Sequence, residues 1–455
     1  MKKWIAYVVL VVGVNLLAMY CGFNRAQVGS ITIFAMFLFG TLFFWPFRLA
    51  FAFVGMTLLI IFGLIDIPHI IEFAGLDIIL FLIAMMIFIG FLEERHFFEH
   101  IVNSMLNAVG NRPRLLMSLM LALACLFASL VDEVTSILFM TTTMLHITSR
   151  HRLRAAPFVM MVVFTTNIGS SATVVGNPIG VIIALRAGFT FVDFIRLATP
   201  IAACCLLLTI SLCLWYFRKD IKGLRQEQEI EGRECAPEER HVTVNNLKIP
   251  WIIFLGTIGA LIMHAQVEKF MHIPKNSMLL GTAFLAAGIV LFLERDRARE
   301  LVERRVDWWT LAFFIMLFAT VGTLKMVGTT TIIAKGLMKV TGGNPLPVFL
   351  GITWATGALT SIMDNVLAVA TFVPVVGDLQ ALGLSTTPLW WGMLFGGTLL
   401  GNMTIVGSTA NIVAIGMLER RGLGVITMGE WILPGAIVSL STGILATFLL
   451  WWQLF

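Results

Sequence analysis

Charge is scarce in this sequence, and that scarcity indicates its class. Charged residues make up only 13% of the 455 residues, against 58% hydrophobic residues and a mean hydropathy of +0.93. Soluble domains carry about 25% charged and about 45–50% apolar residues, so a soluble globular fold is excluded. The apolar runs are continuous over roughly 17–25 residues, which is the length of a transmembrane helix. The sequence therefore predicts an all-α polytopic membrane protein.

Motifs for catalysis and for metal binding are also missing. The six cysteines have no metal-ligand spacing, and no nucleophile–base pair or phosphate-binding loop occurs in the sequence. The formal charge of +5 comes mostly from short loops beside the apolar runs, where basic residues indicate membrane topology. We therefore expect membrane lipid as a partner, no nucleic acid, no enzyme activity and no cofactor beyond Na⁺ or H⁺ as a coupling ion.

Eleven apolar segments are predicted to cross the membrane. They lie near 4–21, 28–45, 49–65, 77–92, 156–186, 193–216, 250–266, 277–293, 307–324, 388–418 and 430–452. The first, within residues 1–27, begins like a signal peptide but has no small-residue cleavage site, so we expect it to remain as a helix. Residues 156–186 and 388–418 are too long for one straight span and contain helix-interrupting polar residues, which predicts two broken helices.

Two further apolar stretches, 115–148 and 347–376, are predicted to be re-entrant hairpins. Basic residues gather on the cytoplasmic side of a membrane. The arginine-rich loops fall on one side only if each stretch enters and leaves the bilayer on the same side. The first hairpin then opens to the cytoplasm and the second to the outside. This topology places the N-terminus in the cytoplasm and the C-terminus outside, in a bacterial-type inner (plasma) membrane.

The two halves of the sequence repeat each other. ASLVDEVTSI at 128–137 aligns with TSIMDNVLAV at 360–369, an offset of 232. ATVVGN at 172–177 aligns with MTIVGS at 403–408, an offset of 231. An odd number of crossings separates the matching segments, so the two repeats have opposite orientations. Inverted repeats of this kind are typical of secondary transporters with a site at the repeat interface.

A third landmark agrees with this alignment, because Asp77 and Asp307 each open a predicted span and lie 230 residues apart. The polar segment between the halves is predicted to be a cytoplasmic linker. We therefore divide the chain into an N-terminal helix at 1–27, repeat 1 at 28–216, a linker at 217–249 and repeat 2 at 250–455.

Polar residues interrupt the apolar sequence at four places. The two hairpin tips contain Ser129, Asp132, Glu133 and Thr135, and Ser361, Asp364 and Asn365. The broken helices read TTNIGSSATVVGNP and GNMTIVGSTAN. Irregular backbone at membrane depth occurs where it is buried in protein or lines a wet cavity, so these segments predict the transport site. Close helix packing by small residues is the alternative explanation.

Three carboxylates lie within the apolar runs. Such a placement costs about 2.5–3.5 kcal/mol on insertion scales and marks an ion or proton pathway by default. Asp132 and Asp364 have a second explanation as N-caps of the helices that follow them. Glu133 is harder to explain as a cap, because the equivalent residue is the neutral Asn365. No Lys or Arg falls in the four segments, so the sequence favours a cation or proton over an anion.

The segments SLVDEVTSILFMTTTM, NIGSSATVVGNP, SIMDNVLAVATFVPVV and GNMTIVGSTANIV resemble the ion transporter superfamily. They are similar to the group of arsenite permeases, D-type sodium/proton antiporters, silicon efflux transporters and the P protein, which is related to divalent-anion:sodium symporters. The resemblance covers nearly the whole chain. It implies a homodimer whose transport domains move like elevators against fixed scaffold domains.

The resemblance also implies which residues bind the ion or substrate. In the first half they are Ser129, Asp132, Glu133, Asn167, Gly169, Thr173, Gly176 and Asn177. In the second half they are Ser361, Asp364, Asn365, Asn402, Thr404, Gly407, Ser408 and Asn411. Members of the group often have Asp-Asn at the first tip and Asp in the first break, where this chain has Asp132-Glu133 and Asn177. This exchange suggests a relocated proton site.

We therefore predict a secondary active transporter of a small ion, with sodium/proton antiport as the first hypothesis. The alternative is proton- or sodium-coupled transport of a small anion or weak acid, such as arsenite, silicate or a carboxylate. A passive ion channel is a third possibility, which the inverted repeats and paired broken helices disfavour.

Overall fold

The computed structural model describes residues 1–109, 112–224 and 247–455, and these residues form helices and no β-strand. The first half contains α1 (Lys2–Tyr20), α2 (Arg25–Phe43), α3 (Arg48–Ile61), α4 (Ile67–Phe73), α5 (Leu76–Glu94), α6 (Phe97–Val109), α7 (Pro113–Leu130), α8 (Glu133–Arg150), α9 (Ala156–Gly169), α10 (Pro178–Ala187) and α11 (Thr199–Tyr216). Most of the predicted linker, residues 225–246, lies outside the described residues.

The second half continues the series of helices. It contains α12 (Lys248–Met271), α13 (Ser277–Glu294), α14 (Ala298–Arg305), α15 (Trp308–Met326), α16 (Thr329–Thr341), α17 (Pro345–Thr360), α18 (Asn365–Ala381), α19 (Thr387–Leu399), α20 (Thr409–Arg420) and α21 (Met428–Leu454).

Nine helical segments in the described part of the chain are long and apolar enough to cross a membrane. They are Lys2–Tyr20, Arg25–Phe43, Leu76–Glu94, Pro113–Leu130, Phe191–Tyr216, Lys248–Met271, Ser277–Arg305, Trp308–Met326 and Met428–Leu454. Shorter apolar helices cover Trp45–Ile61, Ala156–Gly169, Pro178–Ala187, Pro345–Thr360 and Asn365–Ala381. The predicted all-α polytopic membrane protein is confirmed, whereas the count of eleven crossings stays a prediction.

Both helices that were predicted to be broken are interrupted in the structure. α9 ends at Gly169 and α10 begins at Pro178, where a proline fits because the first helical N–H has no intrahelical partner. Asn177 Oδ1 accepts the backbone N–H of Gly180 at 2.8 Å and thereby caps α10. In the second half a short 3₁₀ turn follows α19, and Ser408 caps α20 through its hydroxyl oxygen. Each second half-helix therefore starts on a side-chain cap.

The two predicted hairpins are pairs of packed helices. α7 and α8 are joined by only two residues, and α17 and α18 are joined by the residues 361–364. The helices of each pair pack against each other. Because α7 alone has the length and hydropathy of a membrane crossing, the re-entrant topology of 115–148 stays a prediction, as does that of 347–376.

A second group of helices forms a framework beside these elements. α5 packs against α13, α3 packs against α15, and α2 packs against both α3 and α15. Ion pairs join the end of α5 to the segment around α14, with Arg305 Nη1 lying 2.7 Å from Glu93 Oε2 and Arg297 Nη2 lying 3.1 Å from Glu94 Oε2. Arg95 Nη2 lies 2.6 Å from Glu294 Oε1 at the end of α13. We call α2, α3, α5, α13 and α15 the framework helices.

Candidate functional site

Each hairpin tip carries an aspartate that caps the following helix. Asp132 Oδ1 accepts the backbone N–H groups of Val134 at 2.7 Å and Thr135 at 3.0 Å. Asp364 Oδ1 accepts the backbone N–H of Val366 at 3.0 Å. These bonds satisfy donors that the first turn of a helix leaves unpaired, and the positive end of the helix dipole favours a carboxylate there. The capping explanation is confirmed for both residues, and Thr135 joins the site through its backbone.

Each break is bound to its own hairpin tip by an equivalent hydrogen bond. The hydroxyl of Thr173 donates to the carbonyl oxygen of Ser129. In the other half Thr404 Oγ1 donates to the carbonyl oxygen of Ser361 at 2.6 Å. The two donors differ by 231 positions and the two acceptors by 232. The halves therefore resemble each other in tertiary contacts as well as in sequence.

Glycine permits a close backbone approach in both breaks. A Cβ atom on Gly176 would lie 2.4 Å from the carbonyl oxygen of Ser170, and one on Gly407 would lie 2.5 Å from that of Gly401. Real Cβ atoms do not approach a carbonyl oxygen so closely. Gly169 meets the same restriction from the backbone of α7. The three predicted site glycines are thus required by the packing of the break loops.

Four buried polar side chains form a hydrogen-bonded cluster between the halves, which we call the amide cluster. Asn167 Nδ2 donates to Asn402 Oδ1 at 2.6 Å and to Asn411 Oδ1 at 2.8 Å. Asn167 Oδ1 accepts the hydroxyl of Ser408 at 3.1 Å. None of the four side chains is more than 1% exposed. Asn167 therefore joins the end of α9 to the break of the other half.

Glu133, the first residue of α8, also contacts the other half. Its side chain is buried, and Asn365 Nδ2 lies 3.4 Å from its Oε1 atom. Its second oxygen, Oε2, has no hydrogen-bond partner among the described residues. A buried carboxyl group with one unpaired oxygen is suited to bind a proton or a cation.

Comparison with known proteins identifies the family. The family described as "Citrate transporter", CitMHS, matches residues 34–396 and 333–455. The chain belongs to the CitMHS family. An uncharacterized transporter of Mycobacterium tuberculosis is 30% identical over 391 residues, which cover 83% of this chain and 86% of the relative. A 46 kDa membrane protein of Mycobacterium leprae is 30% identical over 383 residues, or 82% of this chain and 86% of that protein.

The human P protein is also similar to this CitMHS protein. It is 24% identical over 456 residues, which cover 83% of this chain and 54% of the P protein. The resemblance to the ion transporter superfamily is therefore confirmed, and the protein is a multi-pass membrane transporter. The family is one of transporters.

Three residues that form hydrogen bonds in the site are not among the site residues predicted from the sequence. Ser170 Oγ accepts Asn177 Nδ2 at 2.9 Å, and Thr409 Oγ1 donates to Asp364 Oδ2 at 2.7 Å. Both lie inside the break segments, so their small polar side chains were a usable signal. Trp431 Nε1 donates to the carbonyl oxygen of Asn402 at 2.9 Å. An apolar run such as that of α21 contains no local signal for this contact.

In the sequence Arg48 belongs to a short loop between apolar segments, where a basic residue indicates membrane topology. It is the one Lys or Arg with a buried side chain in the described part of this CitMHS transporter. Its Nη2 atom donates to Thr310 Oγ1 at 2.7 Å, and its guanidinium carbon lies 4.3 Å from the ring centre of Trp45. Its charge is also attracted by Asp364 and by Asp307. The surroundings of the carboxylates therefore include one fixed positive charge on the framework.

A cavity of about 380 Å³ lies between the framework and the site elements of the CitMHS fold. It is lined by α4, α5, α15, α10, α18 and α19, and its polar lining includes Glu72, Arg186, Lys325 and Gln380. On α18 the lining reaches Ala370, which is about 7.5 Å along the helix from Asn365 at 1.5 Å per residue. The cavity thus approaches the hairpin tips from one side, which the predicted topology makes the outer side.

Proposed function

We propose that this CitMHS protein is a secondary active transporter in which Glu133 couples the movement of a proton or sodium ion to transport. The observation that carries the proposal is the buried Glu133 carboxyl group, which lies where the halves meet and whose Oε2 has no hydrogen-bond partner in the described part of the chain. The Oδ1 atoms of Asp132 and Asp364 already accept backbone N–H groups. Glu133 is therefore the carboxylate that is most free to change partners during transport.

Sodium/proton antiport is the first specific hypothesis. Carboxylate, hydroxyl, amide and carbonyl oxygens are the ligands that hard cations prefer. The two tips and breaks supply such oxygens beside Glu133, including Ser170 and the freed backbone carbonyls. A sodium ion and a proton would compete for the same carboxylate, and together with alternating access such competition would exchange one for the other across a membrane.

Coupled transport of a small anion or weak acid is the second hypothesis. The family description, "Citrate transporter", favours a carboxylate. Arg48 near Asp364 and Lys325 in the cavity supply positive charge along the way to the site, whereas Arg186 is paired with Asp77. Arsenite and silicate belong to the same class of hypothesis. In this mechanism Glu133 would bind the coupling ion while the substrate binds beside it.

The equivalent contacts of the two halves support the proposed architecture. We propose inverted repeats at 28–216 and 250–455, with re-entrant hairpins at 115–148 and 347–376, around which alternating access occurs. Elevator-type movement, a homodimer, and a bacterial inner membrane with the N-terminus inside and the C-terminus outside complete the proposal. The four capped helix starts and the amide cluster would move together as the transport domain.

The test is ion flux in proteoliposomes that contain the purified protein and a pH-sensitive dye. Sodium, lithium and potassium are added in turn to vesicles with an imposed pH gradient. Uptake of labelled citrate, arsenite and silicate is then measured under proton and sodium gradients. The variants are Glu133→Gln and the matched control Glu268→Gln. Glu268 is a buried glutamate on α12 whose Oε1 accepts the backbone N–H of Met278 at 2.8 Å, away from the site.

The outcomes separate the hypotheses. Proton movement driven by sodium, lost in Glu133→Gln and kept in Glu268→Gln, would support antiport. Uphill uptake of citrate, arsenite or silicate with the same pattern of variants would support the second hypothesis. Flux that only ever runs downhill would indicate a passive channel and overturn the proposal.

A further inference from the structure

An ion pair holds the end of a site helix against the framework. Arg186 Nη1 and Nη2 donate to the two carboxylate oxygens of Asp77, each at 3.0 Å. Asn276 Nδ2, immediately before α13, donates to the carbonyl oxygen of Ala184 at 2.9 Å. Arg186 and Ala184 belong to α10, the second half of a broken helix, whereas Asp77 belongs to α5. The contacts therefore link a part of the proposed transport domain to the framework.

The second half contains the residues for a matching pair. Asp307 corresponds to Asp77 at the offset of 230, and Met417 corresponds to Arg186 at the offset of 231. Arg420 and Arg421 follow Met417 by three and four residues. They therefore lie on the same helix face as Met417, about one turn further along. Four residues turn a helix by about 400°, so Arg421 is the better aligned of the two.

This matching pair is not formed in the structure. Asp307 caps α15 by accepting the backbone N–H and the hydroxyl of Thr310, and the nearby positive charge that attracts it is that of Arg48. Within residues 1–109, 112–224 and 247–455, neither Arg420 nor Arg421 has an ion-pair partner. In the first half the acid and the base, Asp77 and Arg186, are thus paired. In the second half the corresponding acid and base, Asp307 and Arg421, are separate.

The helix packing has the same asymmetry. α10 packs against α5, and α18 packs against α15. The equivalent combinations are α20 with α15 and α8 with α5, and these make no comparable packing in the described part of the chain. Within the described residues, the site elements therefore pack against the framework at one end only, which the predicted topology makes the outer end, and the 380 Å³ cavity lies between the same helices.

We propose that Asp77–Arg186 and Asp307–Arg421 are alternating ion pairs that position the transport domain at the two ends of its movement. The inference rests on the proposed function, because inverted repeats exchange their conformations in alternating access. Asp77–Arg186 is formed in the state described here. In the opposite state α10 leaves α5, α20 docks on α15, and Arg421 reaches Asp307.

Cysteine pairs test this exchange without any knowledge of the substrate. In a background without the six native cysteines, Asp77→Cys/Arg186→Cys and Asp307→Cys/Arg421→Cys are made separately and together. A short bifunctional thiol cross-linker is used, because an arginine and an aspartate reach across more space than a disulfide can. Cross-linked peptides are identified by mass spectrometry from membrane vesicles. Arg95→Cys/Glu294→Cys, a pair within the framework, is the control that both states allow.

We expect both pairs to cross-link, and the four-cysteine protein to carry one cross-link or the other in any one molecule. Formation of both cross-links in the same molecule would overturn the proposal. So would complete failure of Asp307→Cys to cross-link with Arg421→Cys in protein that cross-links at the other two pairs. Absence of flux for every tested ion, together with mutually exclusive cross-links, would leave the alternating pairs standing and remove the proposed function.

A charge exchange provides the second measurement. Arg186→Gln removes the pair of this state and is expected to raise the yield of the Asp307→Cys/Arg421→Cys cross-link by up to about fivefold, the range of a partly exposed ion pair. The exchanged pair Asp77→Arg/Arg186→Asp is expected to return the yield to its original level. Equal yields in all three proteins, each with a normal size-exclusion profile, would contradict the proposal.

Discussion

The side chains of Glu133 and Asn365 meet where the two halves of the protein join, with Asn365 Nδ2 3.4 Å from Glu133 Oε1. Each is the first residue of the helix that leaves a hairpin tip, and they are 232 residues apart. An acid in one half therefore faces an amide at the same position of the other half. This difference leaves one carboxylate instead of two at the contact.

The first prediction concerns the position of this carboxyl group. We expect Glu133→Gln to slow coupled transport by roughly tenfold or more, equivalent to about 1.4 kcal/mol. Glu133→Gln combined with Asn365→Glu returns one carboxyl group to the other side of the same contact and should recover a measurable part of the rate. Initial rates of pH-gradient dissipation in proteoliposomes measure both effects. Asn365→Gln, which keeps an amide, is the control.

An exchanged variant that folds normally and is as inactive as Glu133→Gln would contradict this expectation. It would mean that transport requires the acid at position 133 itself, and that a carboxyl group reaching the same contact from position 365 cannot replace it.

The second prediction concerns the amide cluster. Asn167→Leu removes the N–H groups that donate to the side-chain oxygens of Asn402 and Asn411. Both oxygens then remain buried without this hydrogen bond. A buried polar group without a partner costs about 1–3 kcal/mol, so we expect a clear fall in melting temperature in detergent. Thr142→Val is the control, because the exposed Thr142 hydroxyl bonds only to the carbonyl of Leu138 in its own helix, at 2.8 Å. Equal melting temperatures for the two variants would show that the cluster does not stabilise the fold.

Helix starts and breaks near the site could be predicted because local sequence sets them. Asn177-Pro178 combines a side-chain cap with a residue that suits the first helical turn, and Asp132 and Asp364 each precede a helix as caps do. The broken helices were visible because an apolar run of that length with glycines and amides cannot remain straight. These features depend on a few neighbouring residues.

Contacts between the halves could not be predicted in the same way. Asn167 and Asn402 are separated by 235 residues, and nothing in either segment specifies the other as its partner. Arg48 has the sequence context of an ordinary loop arginine, and its burial depends on how α3 packs on α15. The repeat alignment identified equivalent positions, but it did not show that Glu133 and Asn365 touch.

The third prediction separates capping from charge at Asp132. Asparagine caps a helix about as well as aspartate, whereas alanine loses about 0.5–2 kcal/mol. We therefore expect Asp132→Asn to melt as the unaltered protein does and Asp132→Ala to melt at a lower temperature. Asp66→Ala is the comparison at a distant cap, where Asp66 Oδ1 accepts the backbone N–H of His69 at 3.0 Å at the start of the short α4. Equal melting of Asp132→Asn and Asp132→Ala would show that the cap contributes little to stability.

The fourth prediction concerns Gly169, where α9 ends against α7. A Cβ atom there would lie 2.1 Å from the backbone carbonyl oxygen of Cys125, and a backbone atom cannot move aside as a flexible side chain can. We expect Gly169→Ala to lower stability by about 1–3 kcal/mol or more, or to prevent folding. Gly256→Ala in α12 is the matched control, since no atom lies within 4 Å of its Cβ position and alanine in a helix interior gains about 0.5–1 kcal/mol. The two melting temperatures in detergent should therefore move in opposite directions. A Gly169→Ala protein that melts like the unaltered one would mean that α7 and α9 do not approach this closely.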